Sequence, residues 1–113
     1  MRYRPRSSGG AREDQREDYT ALIRLHILHH AAEGPVYGLW MIEELAQHGY
    51  RLSPGTLYPI LHALEAKGHL RSTEEREGRR ARRVYRLTPA GRRALRAGKR
   101  KVQELFGELF EED

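Results

Sequence analysis

A mostly helical α+β fold is predicted from three observations. Apolar residues recur at steps of three and four over four separate stretches, and Ser-Pro, Thr-Pro and glycine mark the ends of those stretches. Between the third and fourth stretches the pattern turns extended. With 113 residues and 38% apolar content, the chain forms one domain with a single modest core.

Residues 1–17 are rich in Arg, Ser and Gly, with few apolar groups, and read as a disordered polar tail that carries Arg2, Arg4 and Arg6. A first helix is expected from about Asp18 to Gly34-Pro35. It holds two apolar stripes: Leu22, Leu25, Leu28 and Ala32 on one side, and Ile23, Ile27 and Ala31 almost opposite. A small domain buries only one of these, so the second stripe is assigned to contact with another chain.

The second helix spans about Tyr37 to His48 and ends at Gly49, with Leu39, Ile42, Leu45 and Ala46 toward the core and Trp40 and Met41 beside them. Tyr37 stands at its start, where a phenol and free backbone amides can meet an anion. After the connection Gly49-Tyr50-Arg51-Leu52, a third helix opens at Ser53 as N-cap and Pro54 in the first turn, and stops at Gly68. Leu57, Ile60, Leu61 and Leu64 make its buried stripe, while Thr56, Tyr58, Pro59 and His62 share another side. That outward side has no acid and no fixed cation, which suits contact with base edges better than catalysis. Pro59 lacks an amide hydrogen and should bend or tighten the first turn.

His69–Arg76 and Arg82–Leu87 read as two strands joined across residues 77–81, a hairpin carrying Arg79, Arg80, Arg82 and Arg83. Four guanidiniums on a projecting hairpin repel each other unless an anion is near, and a phosphate backbone or narrow minor groove meets that need. Thr88-Pro89 opens the last helix, in which Leu95, Gly98, Val102, Leu105 and Leu109 form a seam widened by Phe106 and Phe110. Little domain is left for it to pack against. Leu95, Val102, Leu105, Phe106 and Leu109, together with Ile23 and Ile27, are therefore expected at a homodimer interface.

The formal charge is +5, and eleven basic residues lie between Gly78 and Gln103 with no acid among them. Such a block points to a polyanionic partner. No cysteine is present, which excludes disulfides, thiolate zinc sites and cysteine nucleophiles. No apolar run reaches the roughly 18 to 20 residues of a membrane span, and the N-terminus has no signal-peptide stretch, so a soluble cytoplasmic protein is expected. No nucleophile sits with a base, and no paired carboxylates or phosphate-cradling glycine loop appear, so an enzyme is not expected. His26, His29 and His30 lie close on the first helix, but His48, His62 and His69 fall on other elements without paired spacing. The histidines read as surface or half-buried groups, with no metal or other cofactor assigned.

Three helices, a basic two-stranded wing and a long terminal helix give the order of a winged helix-turn-helix, divided as tail 1–17, DNA-binding domain 18–87 and dimerisation helix 88–113. Tyr37-Gly38-Leu39-Trp40-Met41-Ile42, Ser53-Pro54-Gly55-Thr56-Leu57-Tyr58-Pro59, Leu64-Glu65 with Gly68 and Leu70, and Gly78 with Arg83-Val84-Tyr85-Arg86-Leu87-Thr88 and Gly91 resemble the PadR family of transcriptional regulators. The likeness covers about residues 20–96, and Gly-Thr-Leu-Tyr-Pro is its most specific part. It departs at Arg82-Arg83-Val84-Tyr85, where Arg-Lys-Tyr-Tyr is more usual. The resemblance implies a homodimer that represses from an inverted-repeat operator in double-stranded DNA and is released by a small molecule. Tyr37, Ser53, Pro54, Gly55, Thr56, Tyr58, Pro59 and His62, with the four wing arginines, are the expected DNA contacts. Trp40, Phe106 and Phe110 are the expected effector lining, where helices one and four of two protomers meet. A metal-sensing regulator built on His26, His29 and His30, and a protein-interaction module that never touches DNA, are the competing readings.

Overall fold

Ser53-Pro54 and Thr88-Pro89 each place a proline where a helix has no use for an amide hydrogen, and both pairs open helices. The computed structural model describes the backbone of residues 11–111 and the side chains of residues 19–111. Its elements are α1 (Ala11–Glu33), β1 (Val36–Tyr37), α2 (Gly38–Gln47), α3 (Pro54–Ala66), β2 (Leu70–Glu77), β3 (Arg80–Leu87) and α4 (Pro89–Leu109). Gly49, Gly68 and Gly78 have positive φ of 90°, 81° and 65°, so they end α2, end α3 and turn the hairpin.

α1 starts at Ala11, not near Asp18, so residues 11–17 belong to the helix and not to a tail. That segment is built largely of Ala, Arg, Glu and Gln, good helix formers that extend a helix already anchored by packing. Arg2, Arg4 and Arg6 lie outside the described residues. The hairpin is longer than expected: β2 runs to Glu77, β3 begins at Arg80, and only Gly78-Arg79 connects them. β1 has no counterpart among the expected strands. Val36 and Tyr37 pair with Tyr85 and Val84, giving an antiparallel sheet of order β1-β3-β2.

The core gathers one face of each helix onto Tyr85 and Leu70 of the sheet. Ile23, Ile27, Leu28 and Ala31 of α1 meet Met41 and Leu45 of α2 and Leu57, Leu61 and Leu64 of α3 there. This corrects the expected interface: Ile23 and Ile27, assigned to a partner chain, are buried in their own protomer, and so is Leu95. The Ile23, Ile27, Ala31 stripe is uninterrupted by polar groups, whereas Leu22 and Leu25 share their side with His26 and His29. The purer stripe takes the core, and Leu22, 41% exposed, is the one left outside. Leu39 is a second correction, since it points outward instead of into the core.

Close contacts fix where α4 leaves the domain. Thr88 Oγ1 accepts a hydrogen bond from Gly91 N (2.9 Å) and donates to Gly68 O, which clasps the start of α4 to the end of α3. A Cβ at Gly91 would come within 2.1 Å of the His69 carbonyl oxygen, and one at Gly98 within 2.4 Å of Leu25 Cδ2. Beyond that crossing α4 projects from the protomer, and every residue from Lys101 to Leu109 is exposed. No helix among the described residues is long and apolar enough to cross a membrane.

Candidate nucleic-acid interface

The spacing of apolar residues in α3 decides which side faces out. Leu57, Leu61 and Leu64 are buried, so Gly55, Pro59, His62 and Ala66, at steps of four, three and four, form an exposed stripe. Ser53 and Pro54 are exposed at its N-terminal end, and Thr56 is half-buried. Ser53 has extended backbone (φ −83°, ψ 163°) and its carbonyl accepts from the amides of Thr56 and Leu57, but its hydroxyl does not cap the helix. Instead Ser53 Oγ donates to Thr56 Oγ1 at 3.3 Å. α3 continues from Pro54 to Ala66 through the exposed Pro59.

Tyr58 departs from the expected outward side. It is half-buried, with its ring laid against Gly38 at the start of α2, where a Cβ would stand 2.3 Å from Tyr58 Oη. A glycine in a helix is costly unless close approach requires it, and here it does. The pair sits in a groove of about 410 Å³ lined by Tyr37, Gly38, Leu39, Trp40 and Tyr58 on the helical side and by Ala81, Arg82 and Arg83 of β3. α2, α3 and the wing therefore share one concave face.

The wing arginines are already oriented. Arg82 Nη2 donates to Glu77 Oε2 at 2.6 Å, and its guanidinium lies 4.4 Å over the ring of Tyr37. Arg83 Nη1 donates to Ser72 Oγ at 3.0 Å, and Arg86 donates to Thr73 Oγ1 (3.0 Å) and Glu75 Oε2 (3.1 Å). Glu74, Glu75 and Glu77 stand opposite Arg83, Arg82 and Arg80 in the ladder. The expected mutual repulsion of the guanidiniums is thus offset from within the hairpin, by acids on the strand that faces them. Arg79, Arg80 and Arg83 make no ion pair among the described residues, and of these Arg79 and Arg80 stand at the tip.

Glu65 and Ser72, neither of them an expected site residue, join wing to helix. Glu65 of α3 accepts from Ser72 N at 3.1 Å and from Ser72 Oγ at 2.7 Å, while Ser72 Oγ accepts from Arg83. The Ser72 hydroxyl is the main cause that holds the Glu65 carboxyl below its usual range. The pairing is non-local, and no spacing rule reveals it.

Away from these residues, α1 and α4 leave an apolar groove of about 550 Å³ lined by Leu22, Leu25, His26, His29, Leu95, Lys99, Val102, Gln103 and Phe106. Val102, Leu105, Phe106 and Leu109 are 42–64% exposed, and Phe110 lies 4.8 Å from Phe106. Trp40 does not join them. Within the protomer it borders other cavities, beside His30 and beside the wing, because it sits in the first turn of α2. The expected lining of Trp40, Phe106 and Phe110 is therefore split. His48, which seemed remote in sequence from the α1 histidines, lies 4.8 Å from His26, ring to ring, because α2 runs back along α1.

A helix pair ending in an exposed helix, a three-stranded wing beside it and a long projecting terminal helix define a winged helix-turn-helix protein. Residues 27–97 match the Transcriptional regulator PadR-like family, and the chain belongs to it. It is 57% identical over 95 residues to the transcriptional regulator Rv3488 of Mycobacterium tuberculosis, a match that covers 84% of this chain and 89% of that one. Among solved structures, a PadR family transcriptional regulator from Eggerthella lenta is similar at a TM-score of 0.70 and 31% identity, over 88% of each chain. A PadR-like regulator from Bacillus cereus shares the fold at a TM-score of 0.72 and 22% identity, over 86% of this chain and 99% of that one.

Proposed function

We propose that the protein is a homodimeric repressor in the cytoplasm that binds an inverted-repeat operator and is released by a small molecule. The observation that carries this reading is the shared face of α3 and the wing. An exposed stripe without fixed charge, Gly55, Pro59 and His62, meets the wing groove through Tyr58, whose ring is 6.4 Å from that of His62, and the arginines of that groove are held by Tyr37 and Ser72. The neutral stripe enters the major groove, where Ser53, Thr56 and His62 exchange hydrogen bonds with bases and phosphates and Pro59 meets a thymine methyl. The wing supplies sequence-independent attraction through Arg79 and Arg80, with Arg82 and Arg83 behind them. Tyr37 and Tyr58 act mainly by positioning, since one supports Arg82 and the other spaces α3 from α2.

Dimerisation uses Leu22 and Leu25 of α1 with Val102, Leu105, Phe106 and Leu109 of α4, a surface too apolar to be left in water. The two recognition helices then stand about one DNA turn apart, roughly 34–36 Å. The groove between α1 and α4 is where an apolar effector changes that spacing. Fluorescence anisotropy with the duplex upstream of the protein's own gene, against a scrambled duplex of equal length, tests this reading. Tighter binding to the former supports it, and equal or absent binding to both removes it.

A further inference from the structure

The histidines gathered between α1 and α2 form a cluster that the DNA-binding face does not use. His26 and His30 are one turn apart on α1, and His48 is the residue at which α2 ends, one turn after Glu44. One ring nitrogen from each of His26, His30 and His48 lies within 4.8 Å of the others. Glu44 Oε2 is 3.3 Å from His48 Nε2 and 3.6 Å from His30 Nε2, so a carboxylate oxygen borders the cluster on the side of these two rings.

His30 gives the cluster its meaning. Its side chain is only 11% exposed, and both ring nitrogens are shut off from solvent without a hydrogen-bond partner among the described residues. Nδ1 stands 3.4 Å from Glu33 Oε1 and Nε2 3.6 Å from Glu44 Oε2, but neither contact has hydrogen-bond geometry. A buried polar group without a hydrogen-bond partner calls for one from outside the chain, and for the lone pair of an imidazole a metal cation is such a partner.

We infer that His26, His30 and His48, with Glu44 as the fourth ligand, bind one divalent ion of the zinc, cobalt and nickel class. Three imidazoles and one carboxylate, with no thiolate, suit these ions and not magnesium or calcium, which take oxygen shells. Metal–nitrogen bonds of about 2.0–2.1 Å bring tetrahedral ligand atoms to about 3.4 Å apart, so the rings must draw in slightly. His48 is exposed at a helix end and can make that movement. A second grouping, His29, His30 and Glu33, competes for His30, but it lies on one helix and His29 and Glu33 are far more exposed. Filling the first site joins α1, which lines the dimer groove through His26, to α2, which begins at the wing.

Equilibrium dialysis of the full chain against Co²⁺, read by visible absorption, tests the inference without DNA. Expected are one ion per protomer, the strong absorption of four-coordinate cobalt, displacement by Zn²⁺ and no competition from Mg²⁺. His48→Ala, on the exposed side where folding is not at stake, should weaken binding by about tenfold or more. His29→Ala and His69→Ala should leave binding as it is. Circular dichroism melts confirm that each variant folds. Absence of retained cobalt, an octahedral spectrum, binding that survives His48→Ala, or loss in His29→Ala instead would each overturn the assignment.

Discussion

Glu65 on α3 accepts both the backbone amide and the hydroxyl of Ser72 on the wing, at 3.1 and 2.7 Å, and Arg83 completes the chain through the same hydroxyl. The relay makes the angle between α3 and the wing a property of three side chains. Ser72→Ala should cost about 1 kcal/mol in urea unfolding, the usual net worth of one such hydrogen bond. Because the Glu65 carboxyl is held below its usual range in the folded state, its stabilisation is present above the unfolded-state value and is lost as pH falls through the lowered folded one. The gap between wild type and Ser72→Ala should therefore close in acid. A gap that persists at low pH would mean that the hydroxyl acts without the carboxylate.

Gly38 and Tyr58 form the second joint of the face proposed to bind DNA. A helical Gly→Ala change gains up to about 1 kcal/mol in propensity, but overpacking against the ring costs about 1–3 kcal/mol, so Gly38→Ala should destabilise. Adding Tyr58→Ala should restore part of that loss, giving a non-additive cycle in thermal or urea melts. Strict additivity would show that the two side chains do not meet.

Much of this arrangement was legible in the sequence, and what was not has physical causes. α2, α3 and α4 could be placed because Gly49, Gly68, Ser53-Pro54 and Thr88-Pro89 act on the chain locally. β1 could not, since two residues show no alternation and exist as a strand only by pairing with β3. The two stripes of α1 looked equivalent by count, and what separated them was the histidines that share a side with Leu22 and Leu25. Leu39 carried an apolar signal yet sits at a helix start beside the wing groove. Glu65 with Ser72, and His48 with His26, are meetings between elements, which periodicity along one element cannot show.

Ile27 and Phe106 separate the core from the proposed dimer interface. Phe106, 61% exposed, should tolerate Phe106→Glu in the melt while light scattering reports a shift from dimer to monomer. Ile27→Glu places a charge where the side chain is fully buried and should abolish the cooperative melt. If Phe106→Glu stayed dimeric, the α1/α4 groove would not be the interface.

The arginines at the tip of the wing offer the most direct measurement of DNA binding. Anisotropy of operator duplex across a salt series gives log affinity against log salt, whose slope falls by about one for each phosphate-contacting arginine removed. Arg79→Ala with Arg80→Ala, which removes four guanidiniums per dimer, should flatten the slope by up to about four and weaken binding most at low salt. Parallel lines for wild type and variant, or a wild-type response that is flat at every salt concentration, would contradict the placement of this wing on DNA.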